Sequence, residues 1–344
     1  MPVRPRKIII TKPGGYDVFS FEDAAPGPPA PGEVQVEVRA CGINFADIAV
    51  RLGLYQAAKG AYPLCPGLEF SGVVQATGED VAGFRQGDRI FGASRFGAYS
   101  TRINCRAEQI WHLPHTWDFV RGASFPVAYL TADYALFQVG HLNRSDRVLV
   151  HSTAGGVGTA LLHLLRINGN CCVGVVGRSE KSTHAGEAGA TFVIDKSTED
   201  LWERAEEISP KGYDIILDAN GASTLRGSYN HLSPGGRLLI YGFASMFSST
   251  GRKNPLKLIW GYFRTPRFNP FDLTGTNRTI SGFNLIYLFD QTELFRRIMA
   301  RLMKWNSEGQ IPPLPITTFP FEEVARAHRA LESAGTVGKL VLTV

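Results

Sequence analysis

The stretch His151-Ser152-Thr153-Ala154-Gly155-Gly156-Val157-Gly158 decides how this chain folds. Before it, Arg147-Val148-Leu149-Val150 reads as a short buried strand. After it, Leu161, Leu162, Leu164 and Leu165 give one apolar face to a helix running from Gly156 to about Asn168. Strand, glycine-rich turn and helix in that order make a phosphate-binding corner, because the free N–H groups at a helix start face an anion. Gly155 lets the backbone come close to a pyrophosphate, and Gly158 lets the helix pack tightly on its strand. Thr153 stands where the usual GxGxxG has its first glycine, so the turn alone also fits a structural corner. The order of elements around it favours a dinucleotide.

Working outward, Cys172 to Val176, Thr191 to Ile194, Tyr213 to Leu217 and Arg237 to Tyr241 read as further strands separated by helical stretches. That alternation implies parallel βαβ units. Residues 1 to 125 instead carry short β-rich runs with glycine and proline punctuation. Val34, Val36 and Val38 recur there with the period of a half-buried strand. The tail has a helix from Gln291 to Ser307, a proline-rich connector at 311–315, a helix from Phe321 to Ser333 and a strand from Lys339 to Leu342. The expected class is α/β: a mainly β domain, 1–125 completed by 285–344, and a doubly wound domain with a parallel sheet, 126–284.

The end of the second parallel strand selects the cofactor, since NAD sites place a carboxylate there for the ribose hydroxyl. Here it reads Val176-Gly177-Arg178-Ser179-Glu180-Lys181, with no acid at the tip and two cations close by. Arg178 and Lys181 suit a 2′-phosphate, so NADPH is expected. The competing reading is a solvated helix start, which Glu180 keeps open.

The chain has 344 residues, 44% hydrophobic and 19% charged, enough for two cores and too ordered a composition for a disordered chain. Its net charge of +5 is dispersed, which excludes a nucleic-acid footprint. Five scattered cysteines with no CxxC pair argue against disulfides and zinc knuckles and for a reducing compartment. With no secretory apolar run near Met1 and no membrane-length span, a cytoplasmic location or one peripheral to membranes is expected. His151, at a strand end, and His163, on the apolar helix, read as packing residues.

The blocks Ala40-Cys41-Gly42-Ile43-Asn44-Phe45-Ala46-Asp47, Arg51-Leu52-Gly53-Leu54-Tyr55, Pro66-Gly67-Leu68-Glu69-Phe70-Ser71-Gly72, Gly87-Asp88-Arg89-Ile90, Tyr129-Leu130-Thr131-Ala132 and Val337-Gly338-Lys339 join the glycine turn in a family pattern. Together they resemble the zinc-free, zeta-crystallin-like quinone oxidoreductase branch of the medium-chain dehydrogenase/reductase superfamily. Within it, residues 264–273 and 280–285 are similar to a segment of the vesicle amine transport protein homologues. The resemblance implies a GroES-like catalytic domain, a Rossmann domain, a homodimer, and hydride transfer from NADPH to a quinone or α,β-unsaturated carbonyl. It also implies that Asn44 and Thr131 support the nicotinamide, that Gly242 and Phe283 line the same cleft, and that Lys339 reaches the cofactor. With Gly155, Gly156, Val157, Gly158, Gly177, Arg178, Lys181 and Asn220 these complete the expected cofactor set. Asn44 and Leu68 stand where zinc-dependent relatives hold the metal, so no metal is expected, and His112 and His115 lack a thiol partner at useful spacing. Tyr55 is the candidate catalytic acid beside Asn44, with solvent as the rival proton donor.

Residues 252–264, Arg-Lys-Asn-Pro-Leu-Lys-Leu-Ile-Trp-Gly-Tyr-Phe-Arg, mix cations and aromatics outside the expected strands. Such a mixture suits a cap over the cleft, a dimer contact or a peripheral membrane contact. The last leads to a rival reading: a membrane-associated or lipid-handling protein whose reductase chemistry is weak or vestigial.

Overall fold

Alternating apolar residues in the N-terminal half produce one sheet, and continuous apolar runs in the middle produce another. In a computed structural model that describes residues 5–247, 251 and 254–344, Arg6–Ile10 (β1) and Phe19–Asp23 (β2) first pair as an antiparallel ribbon. Next comes Glu33–Ile43 (β3), in which Val34, Val36 and Val38 are buried and their neighbours are not. From Ala40 onward both faces are covered, because Ala123 and Val341 pack on Ala40.

Glu69–Thr77 (β4), Arg89–Ala93 (β5), Arg102–Arg106 (β6) and Ile110–His112 (β7) extend this sheet, with β6 pairing on β3. The glycine turn then follows Val148–Val150 (β8), and Cys172–Val176 (β9), Phe192–Asp195 (β10), Tyr213–Asp218 (β11), Leu232–Ile240 (β12) and Thr279–Gly282 (β13) come after it. Ile316–Pro320 (β14) and Lys339–Thr343 (β15) return to the first sheet, whose order is β14-β15-β3-β4-β5-β7. β15 runs antiparallel to β3 with Leu340 opposite Ile43, which sets Lys339 beside Asn44.

The second sheet has the order β10-β9-β8-β11-β12-β13, parallel throughout. Counted from β8, this is the order 3-2-1-4-5-6, which reverses direction between β8 and β11. Ligands of such sheets bind in the crevice beyond the strand ends at that reversal. The turn after β8 and Asn220 after β11 flank it. β12 starts at Leu232, earlier than expected at Arg237; the sequence Ser233-Pro234-Gly235-Gly236 reads as a turn, yet it is absorbed as a register shift against β11.

The helix Gly156–Asn168 buries Leu161, Leu162, Leu164 and Leu165 completely against Val148, Val150, Ile215 and Leu217. Each such leucine contributes about 1.5–3 kcal/mol. Gly169, at φ +83°, ends the helix in the left-handed region, where a side chain would be strained.

The basic aromatic stretch, described from Asn254 onward, forms the helix Pro255–Arg264. Pro255 occupies its first turn and Asn254 caps it by accepting from the Lys257 N–H at 3.0 Å. Gly261 is its only buried residue, and a side chain there would meet Met246. Leu256 and Phe263 are 79% and 74% exposed, and Phe271 on the following helix, Pro270–Thr276, is 84% exposed. No helix among the described residues is long and apolar enough to cross a membrane.

Candidate active site

At the turn, Thr153 replaces a glycine without disturbing the corner. Its N–H and its hydroxyl both donate to the Val175 carbonyl at 3.1 Å, which ties the turn to β9. Gly158 is demanded by packing, since a Cβ there would lie 2.3 Å from the Ser152 oxygen and 2.6 Å from the Thr153 Cα. Gly155 is different: the nearest atom to a Cβ would be the Ser152 oxygen at 3.6 Å. The protein itself leaves room at Gly155, and that room belongs to the cleft.

Across the crevice, the Ser152 hydroxyl donates to Asn220 Oδ1 at 2.8 Å, which orients the amide. Asn220 Nδ2 is buried and has no acceptor among the described residues. Asp218 holds the loop behind it, accepting from the N–H groups of Asn220 and Gly221 and from the Ser228 hydroxyl. Because Ser228 gives its proton to Asp218, His151 Nε2 is the donor in its 3.0 Å contact with Ser228. Burial holds His151 below the ordinary histidine range, and it holds His163, bonded to the Tyr129 hydroxyl, down at about 3. Both histidines are neutral packing residues, as their sequence positions suggest.

One cleft of about 650 Å³ takes in every expected site residue: Asn44, Tyr55, Thr131, Gly155, Gly156, Val157, Gly158, Gly177, Arg178, Lys181, Asn220, Gly242, Phe283 and Lys339. At the end beside the glycine turn Arg178 is exposed, donates to the Ser333 carbonyl at 3.2 Å and lies 3.7 Å from Glu180. Lys181 is mostly buried and donates to the Ala334 and Thr336 carbonyls at 2.7 Å each. Burial and the Arg178 charge lower its pKa. Lys196, just after β10, is exposed in the same wall with no acceptor for its ammonium among the described residues.

The other end is apolar, lined by Leu68, Phe45, Phe247, Tyr241 and Phe283, with Phe45 edge-on to Phe247 and Phe283 stacked on Tyr241. Tyr55 donates to Asn284 Oδ1 at 2.8 Å, and burial pushes its phenol pKa well above the ordinary value. Asn44 precedes the helix Phe45–Arg51, and its N–H donates to Asp47 Oδ2 at 2.8 Å. Its side chain accepts from Lys339 Nζ at 2.7 Å and donates to Glu69 Oε1 at 2.9 Å. The Lys339 stem lies over Gly156, while its ammonium is shared between Asn44, Glu69 and the Ile43 carbonyl.

This donor set does not fit zinc. The Asn44 amide is already engaged at both ends beside an ammonium, and Leu68 has no ligand atom. No group of three or more His, Cys, Asp or Glu among the described residues is gathered to hold a metal. His112 lies outside the cleft, stacked on Phe84. The set does fit a dinucleotide: the space beside Gly155, the Asn220 Nδ2 that has no acceptor among the described residues and Lys196 all face one crevice.

Sequence reasoning missed Asn284, Lys196, Ser152 and Glu69 as site residues. Lys196 had a readable signal, a cation directly after a parallel strand. Glu69 and Asn284 had none, because their partners lie 25 and 229 residues away.

A β-rich sheet and a six-stranded parallel sheet meeting at such a cleft define the two-domain architecture of the medium-chain oxidoreductases. The chain matches the alcohol dehydrogenase GroES-like domain over residues 30–118 and the family described as zinc-binding dehydrogenase over residues 188–342. It is 36% identical over 341 residues to the human synaptic vesicle membrane protein VAT-1 homolog, covering 98% of this chain and 86% of that protein. It is 31% identical over 350 residues to a quinone oxidoreductase of Lama guanicoe, covering 98% and 97%. Among solved structures, an Escherichia coli quinone oxidoreductase complexed with NADPH superposes with a TM-score of 0.85 at 29% identity, over 98% of this chain and 100% of that one. The human VAT-1 homolog-like protein superposes with a TM-score of 0.84 at 29% identity, over 99% and 98%. The chain belongs to the quinone oxidoreductase-like branch of the medium-chain dehydrogenase/reductase superfamily, in the company of the VAT-1 homologues.

Proposed function

We propose that this protein is a zinc-independent, NADPH-dependent reductase of quinones or α,β-unsaturated carbonyls. The observation that carries the reading is one cleft joining an anion-ready glycine turn, with the free Asn220 Nδ2 and nearby cations, to an apolar chamber holding two hydrogen-bonding pairs. The N–H groups at the start of helix Gly156–Asn168 would hold the pyrophosphate, and Arg178, Lys181 and Lys196 the 2′-phosphate. Asn44, Thr131, Gly242 and Phe283 would bound the nicotinamide.

NADPH, when bound, supplies the hydride. An acceptor held beside Asn44 and Tyr55 would take that hydride and, with one proton from water, give the saturated ketone or the quinol. Tyr55 keeps its proton at every ordinary pH because burial raises its pKa. It therefore serves as a neutral hydrogen-bond donor that orients the acceptor oxygen by turning its one hydrogen from Asn284 Oδ1 to the acceptor. The apolar walls keep water off the hydride path. The same reading includes a homodimer through the parallel sheet, one edge of which is the short strand β13. Fluorescence titration with NADPH and NADH, followed by turnover on quinones and enones with a chelator present, tests it. Failure to bind NADPH at micromolar concentration refutes it.

A specific feature favours a second property, peripheral attachment to anionic membranes. The helix Pro255–Arg264 carries Lys257 and Arg264, no acid, and a row of exposed Leu256, Ile259, Trp260 and Phe263. Its Lys257 also reaches the cleft, so the segment caps the chamber with one side and offers apolar surface with the other. Sedimentation with phosphatidylserine vesicles should drop at least about ten-fold in Leu256→Ser/Phe263→Ser. Equal sedimentation of both proteins removes this property and leaves the reductase reading intact.

A further inference from the structure

We infer that Glu69 and Lys339 are positioning residues that fix the amide of Asn44 and lock it to the turn across the two sheets. The inference rests on the reductase reading. A lysine ammonium only donates and a carboxylate only accepts, so the contacts Lys339 Nζ to Asn44 Oδ1 at 2.7 Å and Asn44 Nδ2 to Glu69 Oε1 at 2.9 Å leave the amide one orientation. Asn44 Oδ1 also accepts from the Asp47 N–H in the capping box, so one hydrogen on Nδ2 is what remains for a ligand. Lys339 and Glu69 also touch each other directly at 2.5 Å, with side chains 5% and 0% exposed.

Both are held in turn. Glu69 Oε2 accepts from the Val127 N–H at 2.8 Å, at the start of the helix Pro126–Asp133 that carries Thr131. Gly42 leaves the space Glu69 fills, since a Cβ there would lie 2.4 Å from Oε1. Lys339 follows Gly338, whose N–H donates to Ala154 in the turn at 2.7 Å, and its stem covers Gly156. The turn that would take the pyrophosphate and the amide that would face the nicotinamide are therefore joined by one lysine. Its ammonium has three protein acceptors, so it acts through Asn44 rather than as a phosphate ligand.

The test compares Lys339→Met, Glu69→Gln and the double variant. Each single change leaves one buried charge without its partner, whereas the double variant is neutral and regains stability. With NADPH and cyclohexenone, Lys339→Met should lower kcat about ten- to a hundred-fold, while the NADPH Kd stays within about two-fold. In the double variant Tm should recover and kcat should not. Recovery of kcat in step with Tm would reduce the pair to a structural role, and a lost NADPH affinity with unchanged kcat would make Lys339 a cofactor ligand. Independently of turnover, NMR of the cofactor-free protein with labelled asparagine should find the Asn44 side-chain N–H that Glu69 accepts protected from exchange, and shifted in both single variants. Free exchange of that N–H in the parent overturns the inference. A protected N–H in a protein that binds no NADPH would instead overturn the reductase reading alone.

Discussion

The two ends of the cleft are built in different ways. The end proposed to hold the phosphates comes from short consecutive stretches, 151–158 and 175–181, where glycines and backbone N–H groups form the wall. The proposed reacting end is assembled from side chains at 44, 55, 69, 284 and 339, with partners up to 295 residues apart. At the first, the local backbone makes the site; at the second, only the finished fold does.

Substitutions should separate these ends, and the largest effect belongs at the turn. Gly158→Ala places a Cβ against backbone with nowhere to yield, so NADPH affinity should fall more than about a hundred-fold and stability by about 1–3 kcal/mol, read by titration and denaturant unfolding. Gly155→Ala, with its Cβ in open cleft space, should leave stability unchanged and still weaken NADPH. A stability loss equal to that of Gly158→Ala would break the distinction between packing and ligand glycines. Next in size, Tyr55→Phe should lower kcat about ten- to a hundred-fold with NADPH Kd unchanged, and Asn284→Ala should act in the same direction. Smaller still, Lys196→Ala should cut the preference for NADPH over NADH about ten-fold, more than Lys181→Ala does. Lys181 already spends its ammonium on two carbonyls, so the reverse ranking would show that the loop at 334–336 releases it for phosphate.

The smallest effect concerns pH. The folded pKa of His163, about 3, lies below its ordinary 6.5, so between those values the unfolded chain binds a proton that the native one does not. Its contribution to stability is present above 6.5 and lost as pH falls toward 3. His163→Gln should make the acid limb of stability against pH shallower by up to about one proton. An unchanged slope would mean that burial does not keep the imidazole neutral.

This contrast also explains what could be read from the sequence. The parallel sheet, the turn and its helix were legible because period, glycine spacing and apolar runs are local signals. The alternation at Val34, Val36 and Val38 was legible for the same reason. β12 was misjudged at its start because a Ser-Pro-Gly-Gly run looks like a turn, and tertiary pairing with β11 overrides it. The side chains of the cleft were found where a family pattern singled them out. The partners that orient them were not: Glu69 was read as part of a sequence block, and its hold on Asn44 and Lys339 appears only once β15 lies beside β3.

Single-turnover mixing of the protein with NADPH and duroquinone in the presence of a chelator, against the same mixture with NADH, tests the proposed reductase activity most directly. One NADPH should be oxidised per quinone reduced, rapidly, with a much slower reaction with NADH at equal concentration. Absence of quinone reduction by protein saturated with NADPH, or equal rates with the two cofactors, would contradict it.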